Sequence, residues 1–186
     1  MTAEASDRSE VWLRANVRPV AGLAVVLGLA AGAAVLASSV ANTAPWLRWL
    51  VAGGCMVAAT LLAAVARVSA RPRLARAGDS LEIRLAPATV EQVPLTAVEC
   101  IFRGTEPLAD GRGEQPRFRV GTLVVRFAER AQEWRSRPTF RPWGTWSDGH
   151  AVIDGRWCEP LSRETVERIA AALLEAKRQA AQGGDA

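Results

Sequence analysis

The chain has 186 residues, 49% of them hydrophobic, with a formal net charge of +4 and a mean hydropathy of +0.07. That length admits one domain, or one small domain with an appendage. No charged residue occurs between Arg18 and Arg48 or between Arg48 and Arg67, gaps of 29 and 18 residues; such runs exclude a purely soluble globular protein and an intrinsically disordered one.

The first 19 residues set Arg8, Arg14 and Arg18 against Glu4, Asp7 and Glu10. They read as a cytoplasmic segment in which Trp12 anchors an amphipathic stretch at the membrane surface. Val20–Val40 follows, an uncharged run that spans about 31 Å as a helix. Trp46–Ala66 is equally long and carries Arg48 one turn inside its start. Residues 41–45 leave room only for a tight turn, so 20–68 is expected to be a transmembrane helical hairpin.

Trp46 and Trp49 suit the headgroup level, as do the flanking Arg18 and Arg67. Arginine is denser on the two outer flanks (Arg8, Arg14, Arg18; Arg67, Arg71, Arg73, Arg76) than at the turn. Both termini are therefore expected in the cytoplasm, with the hairpin in a bacterial inner membrane. The competing reading is a signal peptide cleaved after small residues near Ala37 or Ala44; the long apolar run and partly acidic leader oppose it. Gly28 and Gly32 form a GxxxG that either packs the hairpin on itself or pairs two copies of the chain. The runs hold no Asp, Glu, Lys or His, which favours an anchor over a transporter.

After Ala66 the composition changes. From Ser69 onward there are 18 basic and 16 acidic residues, so the pI of 9.7 reflects the membrane flanks, and no basic stripe suggests nucleic acid. Ala70–Ala77 is a short linker that becomes a strand before a Gly78-Asp79 turn, and Ser80–Leu85 alternates with Leu81, Ile83 and Leu85 on one face. Thr89–Val93 reads as a short strand. Val98–Arg103 reads as another, with Val98, Cys100 and Phe102 on one face. Gly104–Pro116 reads as a loop, and Phe118–Ala128 as the strongest strand, with Gly121 marking a bulge. Pro138–Gly149 is irregular, and Ala151–Ile153 with Arg156–Glu159 is expected to form a hairpin about Asp154-Gly155.

Ser162 is a good N-cap. Val166, Ile169, Ala170, Leu173, Leu174 and Lys177 follow with helical spacing to about Ala181. Residues 71–181 are thus expected to be an antiparallel β domain closed by a C-terminal helix (162–181), making the chain an α+β membrane protein.

Two transmembrane helices, short strands and a closing helix, with Leu81–Leu85 (LEIRL), Val93–Ile101 (VPLTAVECI) and the terminal helix as its best markers, resemble bacterial pleckstrin-homology-like (PH-like) membrane proteins. The resemblance implies a bent sheet or barrel of seven strands capped by the helix, and scaffolding or interaction without catalysis. It implies no phosphoinositide site here, because the first turn is only Gly78-Asp79.

No catalytic, cofactor or metal residues are expected. His150, the single His, sits in Ser147-Asp148-Gly149-His150, but sequence neighbours do not make a triad, and Gly111-Arg112-Gly113 is too short for a phosphate loop. Cys55, Cys100 and Cys158 lack metal-ligand spacing and read as small buried hydrophobes; a Cys100–Cys158 bridge is the alternative. The candidate interaction residues are Trp134, Arg141, Trp143, Trp146, Arg156 and Trp157, because Trp and Arg dominate interaction hot spots; core packing and contact with lipid are the other readings. The partners expected are the lipid bilayer, a protein and a second copy through the Gly28/Gly32 face. Three functions follow: a membrane-anchored scaffold, an accessory subunit of a larger membrane complex, or an enzyme with an unrecognised site.

Overall fold

A computed structural model describes residues 9–40, 45–107 and 119–183, and these form two compact units, 16–71 and the segments on either side of it. Ala41–Ala44 of the expected turn, most of the Gly104–Pro116 loop and Gly184 lie outside the described residues.

The central unit is a pair of helices, α1 (Arg18–Val40) and α2 (Pro45–Ser69), which pack on each other. The Asn16 side chain accepts the first-turn amide of Arg18 at 3.1 Å, and Pro45 begins α2 where a missing N–H costs nothing. Both helices are long and apolar enough to cross a membrane. Their large side chains point outward: Leu29, Leu36, Leu50 and Met56 are all exposed, which water would penalise and lipid would not.

Among the described residues the second unit holds eight strands and an α-helix. Its first sheet has the order β1 (Glu10–Leu13), β2 (Leu74–Ala77), β3 (Ser80–Ile83), β4 (Glu91–Pro94). The second has the order β5 (Val98–Pro107), β6 (Arg119–Phe127), β8 (His150–Asp154), β7 (Gly144–Ser147). All pairings are antiparallel. A single 3-10 turn, Leu95–Ala97, carries the chain from β4 into β5. Helix α3 (Arg163–Gly183) packs against β1 of one sheet and β5 of the other. One continuous core runs through both sheets and the helix.

The order α+β is as expected, with two antiparallel sheets in place of a seven-stranded one. The added strand comes from the segment expected at the membrane surface. Residues 9–15 belong to the β unit, so the expectation of a separate segment 1–19 is corrected: the domain is split, and the helix pair is inserted between its first and second strands. A register irregularity between Val11 and Leu13 turns two successive side chains, Trp12 and Leu13, into the core, where they are 1% and 0% exposed. A bulge does this by adding one residue against the partner strand. Trp12 therefore cannot serve as a membrane anchor.

A second bulge corrects the reading of β5. The register shifts between Val98 and Cys100, so Ile101 takes the inward position after Val98 and Phe102 turns outward, 42% exposed. A one-residue slip exchanges the two faces of a strand. Gly121, expected to mark a bulge, lies in regular register with Thr105. The close approach is at Gly155, where a Cβ would lie 2.3 Å from the Gly121 carbonyl oxygen.

The expected hairpin about Asp154-Gly155 is also corrected. The tight turn uses a different Asp-Gly pair, Asp148-Gly149, whose φ angles of 52° and 75° suit a two-residue turn between antiparallel strands. It joins β7 to β8 with Ser147 opposite His150. Asp154-Gly155 instead opens the 3-10 turn Gly155–Trp157, and the Asp154 carboxylate accepts the Arg156 amide at 2.8 Å.

Helix α3 begins as its sequence signals: the Ser162 hydroxyl accepts the Thr165 amide at 3.1 Å. The buried stripe is Val166, Ile169, Leu173 and Ala176, while Leu174, expected inside, is 57% exposed.

Candidate functional site

The β unit has two ends, and its candidate groups divide between them. At one end, Leu13 closes β1 and Arg73 precedes β2, joined by a hydrogen bond from the Arg73 amide to the Leu13 carbonyl at 3.0 Å. Both connections to the helix pair leave from this root end. The Asp148-Gly149 turn and the start of β5 lie at the opposite end, because β6, β7 and β8 run antiparallel in register between them.

At the root end, Arg73 is wholly buried. Its guanidinium carbon lies 3.5 Å above the Trp143 ring, and its Nε donates to the Trp157 carbonyl at 3.3 Å. Its two terminal nitrogens have no hydrogen-bond partner among the described residues. Burial pulls the Arg73 pKa down from its ordinary 12.5 to about 10; Cys158 opposes that shift and neighbouring Arg84 adds to it. The Cys158 thiol is pushed up to about 12, chiefly by burial and then by Asp154, with Arg73 acting in the opposite sense. A thiol so held is a poor nucleophile. Cys55, Cys100 and Cys158 are all free, so there is no Cys100–Cys158 bridge.

The six candidate interaction residues do not form one surface. Trp143 and Trp146 are each only 4% exposed and are withdrawn as contact residues. Trp146 stacks on Phe127 with centroids 4.9 Å apart and on Trp134 at 6.2 Å. Its Nε1 donates to the Trp134 carbonyl at 2.8 Å. The Trp146 ring fills the core while its one polar atom finds a partner. Trp134 and Trp157 are half-buried, and Arg141 and Arg156 are exposed. Arg156 is committed to a two-pronged ion pair with Asp154, 2.6 Å at its shortest. Of the remaining anchor residues, Arg18 begins α1, and Trp46 and Trp49 are 64% and 79% exposed near the start of α2. Arg67 lies in the last turn of α2.

At the far end, a cleft of about 330 Å³ is lined by Arg126, Phe127, Glu129, Gln132, Arg135 and His150 among others. Arg126 and His150 are cross-strand partners, and Arg126 is paired with Glu99 at 3.0 Å. The His150 Nδ1 lies 2.9 Å from the Asp148 carbonyl oxygen, so this ring is tied to the turn. The chain signal for this cleft was weak, since its residues come from 126–135 and 148–150, and only the register of β6 with β8 brings them together.

Comparison with protein-family models, with curated proteins and with solved structures gave no match.

Proposed function

We propose that the chain is a membrane-anchored, non-catalytic interaction or scaffolding protein: the α1–α2 hairpin spans a bacterial inner membrane and a PH-like β domain works in the cytoplasm. The observation that carries this reading is the pairing of β1 with β2, Glu10 opposite Arg76 and Leu13 opposite Leu74. Strands hydrogen-bonded to each other must lie on one side of a bilayer, so two helices inserted between them enter and leave by the same face. The arginine-rich flanks favour the cytoplasmic side. The pairing also speaks against cleavage near Ala37 or Ala44, which would detach β1 from its sheet. Two four-stranded sheets followed by a helix support the PH-like reading, with β1 as one strand beyond the expected seven.

The surface offered to a protein partner is the cleft of the far end, where Arg135 and Gln132 are exposed. A photo-crosslinking residue at Gln132 of the full-length protein in cells should give a discrete adduct that Arg135→Glu removes. Absence of any adduct, together with loss of a cellular phenotype in His150→Ala, would favour the enzyme reading instead.

A second reading, an accessory subunit of a larger membrane complex, is favoured by the groove of about 410 Å³ between α1 and α2. It is lined by small residues such as Gly28, Ala31, Gly54 and Ala58, which allow close helix approach. Adducts from Leu29 with none from Gln132 would select this reading. A second copy of the chain on the Gly28/Gly32 face is one form of it.

A further inference from the structure

The tip of the loop before β7, Phe140-Arg141-Pro142, is fixed to the root of the β unit. The Phe140 amide donates to the Leu85 carbonyl at 2.7 Å, and the adjacent Arg84 amide donates to the Arg73 carbonyl at 3.0 Å. The Phe140 ring meets Trp143 edge-on at 5.5 Å, and Trp143 carries the Arg73 guanidinium. Despite these contacts Phe140 is 45% exposed.

Only three residues separate Arg73 from the end of α2 at Ser69, and four separate Leu13 from Arg18. Such connections reach no further than roughly 14 and 17 Å. Leu13 and Arg73 therefore lie within those distances of the helix ends. Most acids there are paired, Glu106 being the exception, exposed near Arg156. Glu91 is taken by Arg137 at 3.4 Å, Asp154 by Arg156 at 2.6 Å and Glu159 by Arg168 at 3.2 Å. Arg14 and Arg141 are exposed and make no ion pair among the described residues.

We propose that the Phe140–Arg141 tip docks on anionic lipid headgroups, the ring entering the interface and the guanidinium taking a phosphate or carboxylate. An aromatic ring beside a basic residue suits the polar–apolar boundary of a bilayer, and the short tether supplies a high local concentration of lipid. Docking there fixes the orientation of the domain and turns the Arg135 cleft away from the membrane. This inference rests on the membrane-anchor reading.

The test uses the full-length protein in nanodiscs, with Cys55→Ser and Cys100→Ser, and an environment-sensitive dye on Thr139→Cys. Cys158 is buried and does not compete for the dye. Dye emission should rise in phosphatidylserine-containing discs over purely zwitterionic ones, and the same dye on Gln132→Cys should not respond. Arg141→Gln should shift the docked-to-free ratio about fivefold toward free, the worth of one basic residue at an anionic surface. Equal emission in both kinds of disc, or indifference to Arg141→Gln, would overturn the inference and leave the anchor reading standing. Failure of the protein to enter nanodiscs at all would overturn both.

Discussion

A chain cut to residues 69–186 is expected not to fold, although it keeps α3 and seven of the eight strands. It loses Trp12 and Leu13, which are 1% and 0% exposed. Truncating a buried Trp and a buried Leu costs about 5–10 kcal/mol together, comparable with the whole stability of a domain. The missing strand also strips β2 of its edge partner and α3 of part of its footing. Joining residues 9–15 to 72–183 through a short Gly/Ser linker should restore folding, because Leu13 and Leu74 are already register partners. Circular dichroism and size-exclusion chromatography of the two proteins decide the matter. A cooperatively folded 69–186 would show that β1 is dispensable and that the hairpin is not inserted into the domain.

Arg73→Ala should lower the stability of that joined β domain by about 3 kcal/mol, whereas Arg73→Met should leave it within about 1 kcal/mol. The alanine leaves the Trp143 face uncovered, losing packing and a desolvated cation–π contact worth about 2 kcal/mol. Methionine refills most of the volume and removes a buried charge whose terminal nitrogens lack partners, a replacement that is often neutral or favourable. The linkage has the matching sign. With the Arg73 pKa held down to about 10 against the ordinary 12.5, the unfolded chain binds more protons across that window. This residue's cost is therefore full below pH 10 and is relieved as pH rises through it. Thermal melts near neutral pH give the comparison, with Arg73→Ala melting roughly 10 °C lower. A methionine variant as unstable as the alanine one would mean that the charge itself is required.

The sequence makes the two apolar helices plain because their signal is local: unbroken hydrophobic runs bounded by Arg18 and Arg67. Helix α3 is legible for the same reason, from Ser162 and the spacing of Val166, Ile169 and Leu173. Strand β1 is not, since EVWL is four residues long and its partner lies more than sixty residues away across the hairpin. On local evidence Trp12 beside an apolar run looks like an interfacial anchor. Asp110-Gly111, Asp148-Gly149 and Asp154-Gly155 are equally good turns by composition; the choice of Asp148-Gly149 between β7 and β8 is made by the pairing of Trp146 with Ala151, which no local rule contains. Bulges in β1 and β5 shift their faces without any Gly or Pro at the irregularity. Arg73 reads as one more flanking arginine, and only the fold reveals that it lies under Trp143. The Trp-rich segment leaves core packing, partner contact and lipid contact open in the sequence, because Trp serves all three purposes.

Insertion of the helix pair into the β domain, with both helices crossing a membrane as proposed, is tested most directly by cysteine accessibility in intact cells. Single cysteines at Ser9, Asn42 and Gln182, in a background lacking the native thiols at 55 and 100, are treated with a membrane-impermeant maleimide. Labelling is expected at 42 from outside, and at 9 and 182 only after the inner membrane is permeabilised. Labelling of 9 and 182 from opposite sides, or of 42 from the same side as both, would contradict it.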